Sequence, residues 1–208
     1  MTLDKHFIKV IGLDDVTANE SNVNFLKDGA KAITDVLAHA ANSYVFGLIN
    51  STNVPLSADV TLSSKQAFAD LYATASDNGA NPYECVLALN PASFATLLGT
   101  QDALVRGSDD AVKYGVVEGL YGFRAVLATS YLPAGTIGAI IPYGCMGIAS
   151  RINAPAINGY AATFNAVDDN SLAVSFRAYE SLAEGHMMLG GDILFGAKIL
   201  KNGIIRLV

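Results

Sequence analysis

The chain has 208 residues, of which 51% are hydrophobic and only 15% charged, with 13 basic against 19 acidic side chains and a net charge of −6. This balance excludes a general nucleic-acid grip, which needs clustered Lys and Arg to displace counterions, and the apolar content excludes a disordered chain. The length suits one domain or two small ones with a substantial core.

In chain order, Leu3–Leu13 reads as a short strand-like piece ending at Asp14-Asp15, and the polar run Val16–Asn24 leads into a helix. Leu26, Ala30, Ile33, Leu37, Ala40, Tyr44 and Leu48 recur every three or four residues, which places them on one helical face. From Asn24 to Asn50 such a helix would span roughly 40 Å at 1.5 Å per residue, and Asn50-Ser51-Thr52-Asn53 with Pro55 ends it. A second helix is predicted from Ser64 to about Asn78, opened by a Ser63/Gln66 capping box and closed by Asn78-Gly79. A strand over Glu84–Leu89 follows. Asn90-Pro91 then caps a short helix carrying Phe94, Leu97 and Leu98 and stopped by Gly99.

Beyond residue 103 the runs shorten and become β-rich: Ala103–Arg106, Gly115–Val117, Arg124–Ala128, Ile137–Ile141, Met146–Ile152, Leu172–Tyr179 and Ile193–Leu200. Turn residues separate them, among them Gly119, Gly122, Pro133, Gly135, Asn158-Gly159 and Asn202-Gly203. The pattern is an α+β chain with helices early and antiparallel strands late.

A charged fraction of 15% lies well below the roughly 25% of ordinary soluble domains. Membrane contact or subunit contact could account for it. The most apolar stretch, Ala125–Ile148, is interrupted by Pro133, Gly135, Gly138, Pro142 and Gly144, so it does not form a span of about 18 uninterrupted residues. Asp4, Lys5, His6 and Lys9 break up any signal-peptide-like start. The expectation is therefore no membrane partner and extensive self-association.

Few residues point to chemistry. His6, His39 and His186 have no second His or Cys at ligand spacing. His186, in Glu184-Gly185-His186-Met187-Met188, stands nearest an acid. Asp109-Asp110 and Asp168-Asp169 read as solvated loop acids. Gly190-Gly191-Asp192-Ile193-Leu194-Phe195-Gly196 lacks the Lys-Ser/Thr of a phosphate-binding loop and the strand-to-helix setting of a dinucleotide fingerprint. The basic residues Lys113, Arg124, Arg151, Arg177, Lys198, Lys201 and Arg206 are scattered. Cys85 and Cys145 read as buried reduced thiols, with a disulfide the other reading. No catalytic, cofactor-binding or metal-ligating residue is assigned, and no cofactor is expected.

The order of these segments resembles the major capsid proteins of tailed bacteriophages, the Hong Kong 97-type fold. Four stretches carry it. Ile11-Gly12-Leu13-Asp14-Asp15 through Asn50 resembles the lead-in and spine helix of the family's peripheral domain. Val86-Leu87-Ala88-Leu89-Asn90-Pro91-Ala92-Ser93-Phe94 is similar to its strand, Asn/Ser-Pro cap and short helix. Gly119–Val126 with Ser130-Tyr131-Leu132-Pro133-Ala134-Gly135 resembles its glycine, strand and Leu-Pro-Ala-Gly turn. Phe195–Leu200 to Ile204–Leu207 resembles its closing strand, turn and strand.

The resemblance implies a peripheral-domain-like part over 1–85 with the spine helix at 24–50, an axial-domain-like part over 86–190, and closing strands over 191–208. It implies a structural subunit, not an enzyme, that self-assembles into pentamers and hexamers enclosing DNA without sequence-specific binding. Scaffolding or decoration proteins are the implied further partners. The implied setting is the virion, with the host cytoplasm during assembly. Low charge then fits a surface that faces other subunits. About twenty residues precede the helix, so the likeness is to a member without the N-terminal arm and extended loop, and no cross-linking lysine is carried over. Two other readings stand beside it: a bacterial shell-forming compartment protein of the same fold enclosing cargo enzymes, and an α+β enzyme with a cleft at His186 or a carboxylate pair.

Overall fold

A computed structural model of the protein describes residues 2–14, 25–99, 116–118, 120–152, 162–167, 173–181 and 186–208. The lead-in at 15–24, the strand expected at 103–106, Asp109-Asp110, Asn158-Gly159 and Asp168-Asp169 lie outside the described residues. In order, the elements are β1 (Lys5–Asp14), α1 (Phe25–Gly47), β2 (Ser57–Ala58), α2 (Lys65–Asp77), β3 (Cys85–Leu89), α3 (Pro91–Leu98), β4 (Val116–Glu118), β5 (Ala125–Ala128), β6 (Gly138–Pro142), β7 (Met146–Arg151), β8 (Ala162–Val167), β9 (Ala173–Ser181), β10 (His186–Ile199) and β11 (Ile205–Leu207). Short 3₁₀ turns precede β3 (Pro82–Glu84) and β5 (Leu120–Gly122).

Two compact units form, and each draws on distant parts of the chain: Met1–Asn42 with Ile148–Ala197, and Ser43–Gly147 with Lys198–Val208. Along the sequence the two units interleave. Strand pairing between the start and the end of the chain is the reason, since β1 lies against β10 along its whole length, from Lys5 opposite Phe195 to Asp14 opposite His186.

The first unit holds the antiparallel sheet β1-β10-β9-β8, with β7 also paired to β10. One face is the core: Leu189, Ile193 and Phe195 on β10 are fully buried, and Val174, Phe176 and Ala178 on β9 nearly so. The rings of Phe7 and Phe195 meet with centroids 5.5 Å apart. Helix α1 presents Ile33, Leu37 and Ala41 as its buried positions, an i, i+4, i+8 stripe. Of the expected stripe, Ile33 and Leu37 are buried while Ala30, Ala40, Tyr44 and Leu48 are half-buried; Ala41, and not Ala40, is the buried alanine. Gly191 lies beneath Ile33, and a Cβ there would collide with Ile33 Cγ2. Gly190-Gly191 is thus mid-strand: the glycine admits a helix side chain against the sheet. Strand β10 therefore begins seven residues before the expected start at Ile193. Strand β8 adds to the strands expected from sequence; Ala and Asn, both depleted in strands, fill three of its six positions.

At the end of α1, Asn50 closes the chain on itself. Its Oδ1 accepts from the N–H of Thr52 at 3.0 Å and Asn53 at 2.9 Å, and its Nδ2 donates to the Gly47 carbonyl at 3.1 Å.

The second unit holds the mixed sheet β2-β11-β6-β3-β5-β4. Its β3–β5 and β11–β2 pairs are parallel and the others antiparallel. The intervening α3 allows the parallel β3–β5 pairing. Cys85, Leu87 and Leu89 of β3 join Phe68, Leu71 and Ala75 of α2, Phe94 and Leu97 of α3, and Phe123 in one cluster. Ile49, Val54, Ala139, Cys145 and Ile204 form a separate cluster. Ile140 belongs to the first and its neighbour Ala139 to the second, so β6 is covered on both faces, which explains its unbroken apolar run.

The caps follow the sequence with one shift. Asn90 Oδ1 accepts from Ser93 N at 2.8 Å, with Pro91 opening α3 as expected. On α2 the cap is Ser64, whose Oγ accepts from Ala67 N at 3.3 Å. The Ser63/Gln66 box does not form. With Ser64 as cap, Gln66 falls one position short of reaching back, and its Nε2 donates to Asp70 Oδ1 at 2.7 Å instead. Gly79, at φ +76°, closes the helix. Gly135, at φ +79°, completes the Leu-Pro-Ala-Gly turn, closed by Thr136 N donating to the Pro133 carbonyl at 3.1 Å.

Candidate functional site

A polar cluster spans three strands of the first sheet. His6 on β1 approaches the Asp192 carboxylate on β10, Nε2 to Oδ2 at 3.0 Å, while Arg177 Nη2 on β9 stands 3.7 Å from Oδ1. The register brings them together: Ile8 and Ser175 both pair with Asp192, so residues two along on either outer strand share its face. Asp192 is buried at 6% side-chain exposure, whereas His6 keeps 42%. A carboxylate held that deep needs partners, and here two neighbouring strands supply them.

Asp192, His6 and Ser175 are the residue types of a nucleophilic triad, but the connections differ. Ser175 Oγ is buried with no hydrogen-bond partner, so no base takes up its proton. The cluster fastens β1 to β10 and β9. Sequence reading missed it because His6 and Asp192 are 186 positions apart. Its one trace was an acid placed inside an apolar run, Gly190-Gly191-Asp192-Ile193.

His39 is exposed on α1. His186 opens β10, paired with Asp14 of β1 and Ser181 of β9. The glycine run forms a strand and so offers no loop to cradle phosphate. Cys85 and Cys145 are buried free thiols. Cys85 Sγ donates to the Asn81 carbonyl at 3.1 Å. Burial, helped by the nearby Cys145 and Glu84, pushes its thiol up to about 11. Burial also raises Cys145, with Lys201 opposing. Both sulfurs are thus protonated and poor nucleophiles at neutral pH.

Among the described residues no group of three or more His, Cys, Asp or Glu could hold a metal ion, and no helix is long and apolar enough to cross a membrane. A groove in the second unit, lined by Val54, Pro55, Leu56, Ile199 and Ile204, encloses about 180 Å³. That is below the roughly 300 Å³ at which ligand pockets begin.

The surface offers more than the clefts. Ile8 and Val10 share one face of β1 at 62% and 43% exposure, and Val36 on α1 stands at 47%. In the second unit Tyr83 and Tyr143 are 67% and 78% exposed. Such positions could not be told from core residues by hydropathy alone, since both read as apolar in an apolar run.

No family model matches the sequence, and no curated protein matches it. Solved structures do match over nearly the whole chain. A structure titled for Mycobacterium phage Che8 is 15% identical, covers 99% of this chain and 71% of its own, and superposes with a TM-score of 0.60. The capsid structure of the cyanophage P-SCSP1u is 12% identical over 98% of this chain and 72% of its own, at 0.61. The capsid of a native GTA particle is 15% identical over 97% of this chain and 71% of its own, at 0.59. These likenesses show that the chain carries the Hong Kong 97-type fold of phage capsid proteins.

Proposed function

We propose that the chain is the structural subunit of a phage capsid shell and works by self-assembly. The observation that carries this is the likeness of 97–99% of the chain to solved structures, two of them titled as capsids and one for a phage. Composition supports it: 15% charged residues and exposed Ile8, Val10, Tyr83 and Tyr143 suit a surface spent on neighbours. In this reading the unit containing Ile33 and Leu37 is the peripheral-type part, and the unit built on β3 and β6 is the axial-type part. The copies close into pentamers and hexamers, the shell's place is the virion, and it is put together in the host cytoplasm. A net charge of −6 suits a wall that encloses polyanionic DNA without gripping it. Scaffolding or decoration proteins would bind the assembled lattice.

The reading assigns the chain no reaction. Neither the compartment-shell nor the enzyme alternative has an observation in its favour. The test is electron microscopy of the purified protein: closed particles of one size support the reading. Particles loaded with a cargo enzyme would move it to a compartment shell, and an absence of particles under all assembly conditions would count against both.

A further inference from the structure

The second unit gathers three exposed tyrosines at one end of its sheet. Tyr72 comes from α2, Tyr83 from the 3₁₀ turn before β3, and Tyr143 from the turn after β6. The rings of Tyr72 and Tyr83 meet edge to face, 6.2 Å apart at 80°. Tyr72 is also fixed from beneath, where Gly122, at φ +79°, has no Cβ; one added there would stand 2.8 Å from the ring. Tyr143 sits at the corner of a turn closed by Cys145 N donating to the Pro142 carbonyl at 3.2 Å, with Gly144 at φ +76°. Backbone bonds knit the site together: Tyr143 N donates to the Glu84 carbonyl and Arg124 N to the Cys85 carbonyl, both at 3.0 Å.

Two exposed charges of opposite sign border these rings, Glu84 and Arg124. Neither forms an ion pair among the described residues. Tyrosines beside an arginine are the composition of contact hot spots, because they offer large area at little entropic cost. The two charges indicate the partner. A surface of a single charge sign would meet one of them unfavourably. A second copy of this chain, related by rotation about an axis, can set its Glu84 on the first copy's Arg124 with the tyrosines packed between.

We propose that Tyr72, Tyr83 and Tyr143 form a contact between copies of this chain, keyed by Glu84 of one copy on Arg124 of the next. This rests on the shell reading above.

The experiment compares assembly of the intact protein with that of Glu84→Arg and Arg124→Glu, by sedimentation across a concentration series. Each single variant is expected to need at least about tenfold more protein to assemble, from like charges meeting at every contact. An equimolar mixture of the two variants is expected to assemble at lower concentration than either alone, because alternating copies meet opposite charges, although a ring of five keeps one like-charge contact. Only a contact between copies gives that rescue. Tyr143→Ser, at a turn corner where folding does not depend on the ring, is expected to weaken assembly on its own. If the natural protein assembles and the variants match it, or the mixture does no better than either variant alone, the contact is overturned and the shell reading stands. If the natural protein never assembles, the shell reading falls and this contact with it.

Discussion

In the first unit Ile33 packs directly over Gly191, and this contact supports a quantitative prediction. Gly191→Ala adds one methyl that would overlap Ile33 Cγ2, and Phe176 Cε1 lies 3.3 Å from the same point. Ile33 is β-branched and fully buried, so it has no free end to swing aside. Overpacking of this kind costs about 1–3 kcal/mol. Ile33→Ala alone leaves a cavity and costs about 2–5 kcal/mol. In the double variant the new methyl enters the space that Ile33 vacates. The two costs should then fall short of additive by about 1–2 kcal/mol, within the range for residues in contact. Urea unfolding of the unassembled protein, followed by circular dichroism for all four members of the cycle, measures the coupling. Additivity within about 0.5 kcal/mol would refute the packing argument and return Gly191 to the status of an ordinary strand glycine.

Three further predictions follow from particular contacts. Asn90→Ala and Ser64→Ala should each lower stability by about 1 kcal/mol through loss of a helix cap, while Ser63→Ala changes little; urea midpoints decide between the two serines. Asp192→Ala removes the shared partner of His6 and Arg177 and should cost about 3 kcal/mol, whereas His6→Ala, at the exposed end of the cluster, should cost about 1 kcal/mol or less; equal losses in urea unfolding would contradict the cluster's geometry. The Cys85 thiol is raised from its ordinary 9.0 to about 11. In that window the unfolded chain has lost the proton and the folded chain keeps it, so stability contributed below pH 9 is lost as the pH rises towards 11. Cys85→Ala should flatten this part of the pH–stability profile, and an unchanged slope would show that the thiol titrates alike in both states.

Sequence legibility followed the range of the interactions. Helix α1 was readable because Ile33 and Leu37 repeat at its own period, and Asn50 and Asn90 because a cap acts within three residues. The cap on α2 slipped by one because two serines stand side by side and only backbone direction chooses between them. Strand β10 runs longer than its sequence suggests because Gly190-Gly191 looks like a loop until Ile33 is placed above it. The His6–Asp192 bond and the interleaving of the two units depend on β1 meeting β10 across most of the chain, and no local pattern encodes that. The resemblance reached the fold through the order of four motifs, each weak alone. The tyrosine cluster was invisible for the opposite reason: Tyr72, Tyr83 and Tyr143 carry no spacing signal, and their exposure is a property of the folded chain.

The most direct test of the central claim is the particle mass of the protein, expressed with its natural coding sequence intact, by multi-angle light scattering. Assembly into a shell predicts a uniform megadalton species. A stable monomer across concentration, salt and pH would contradict it.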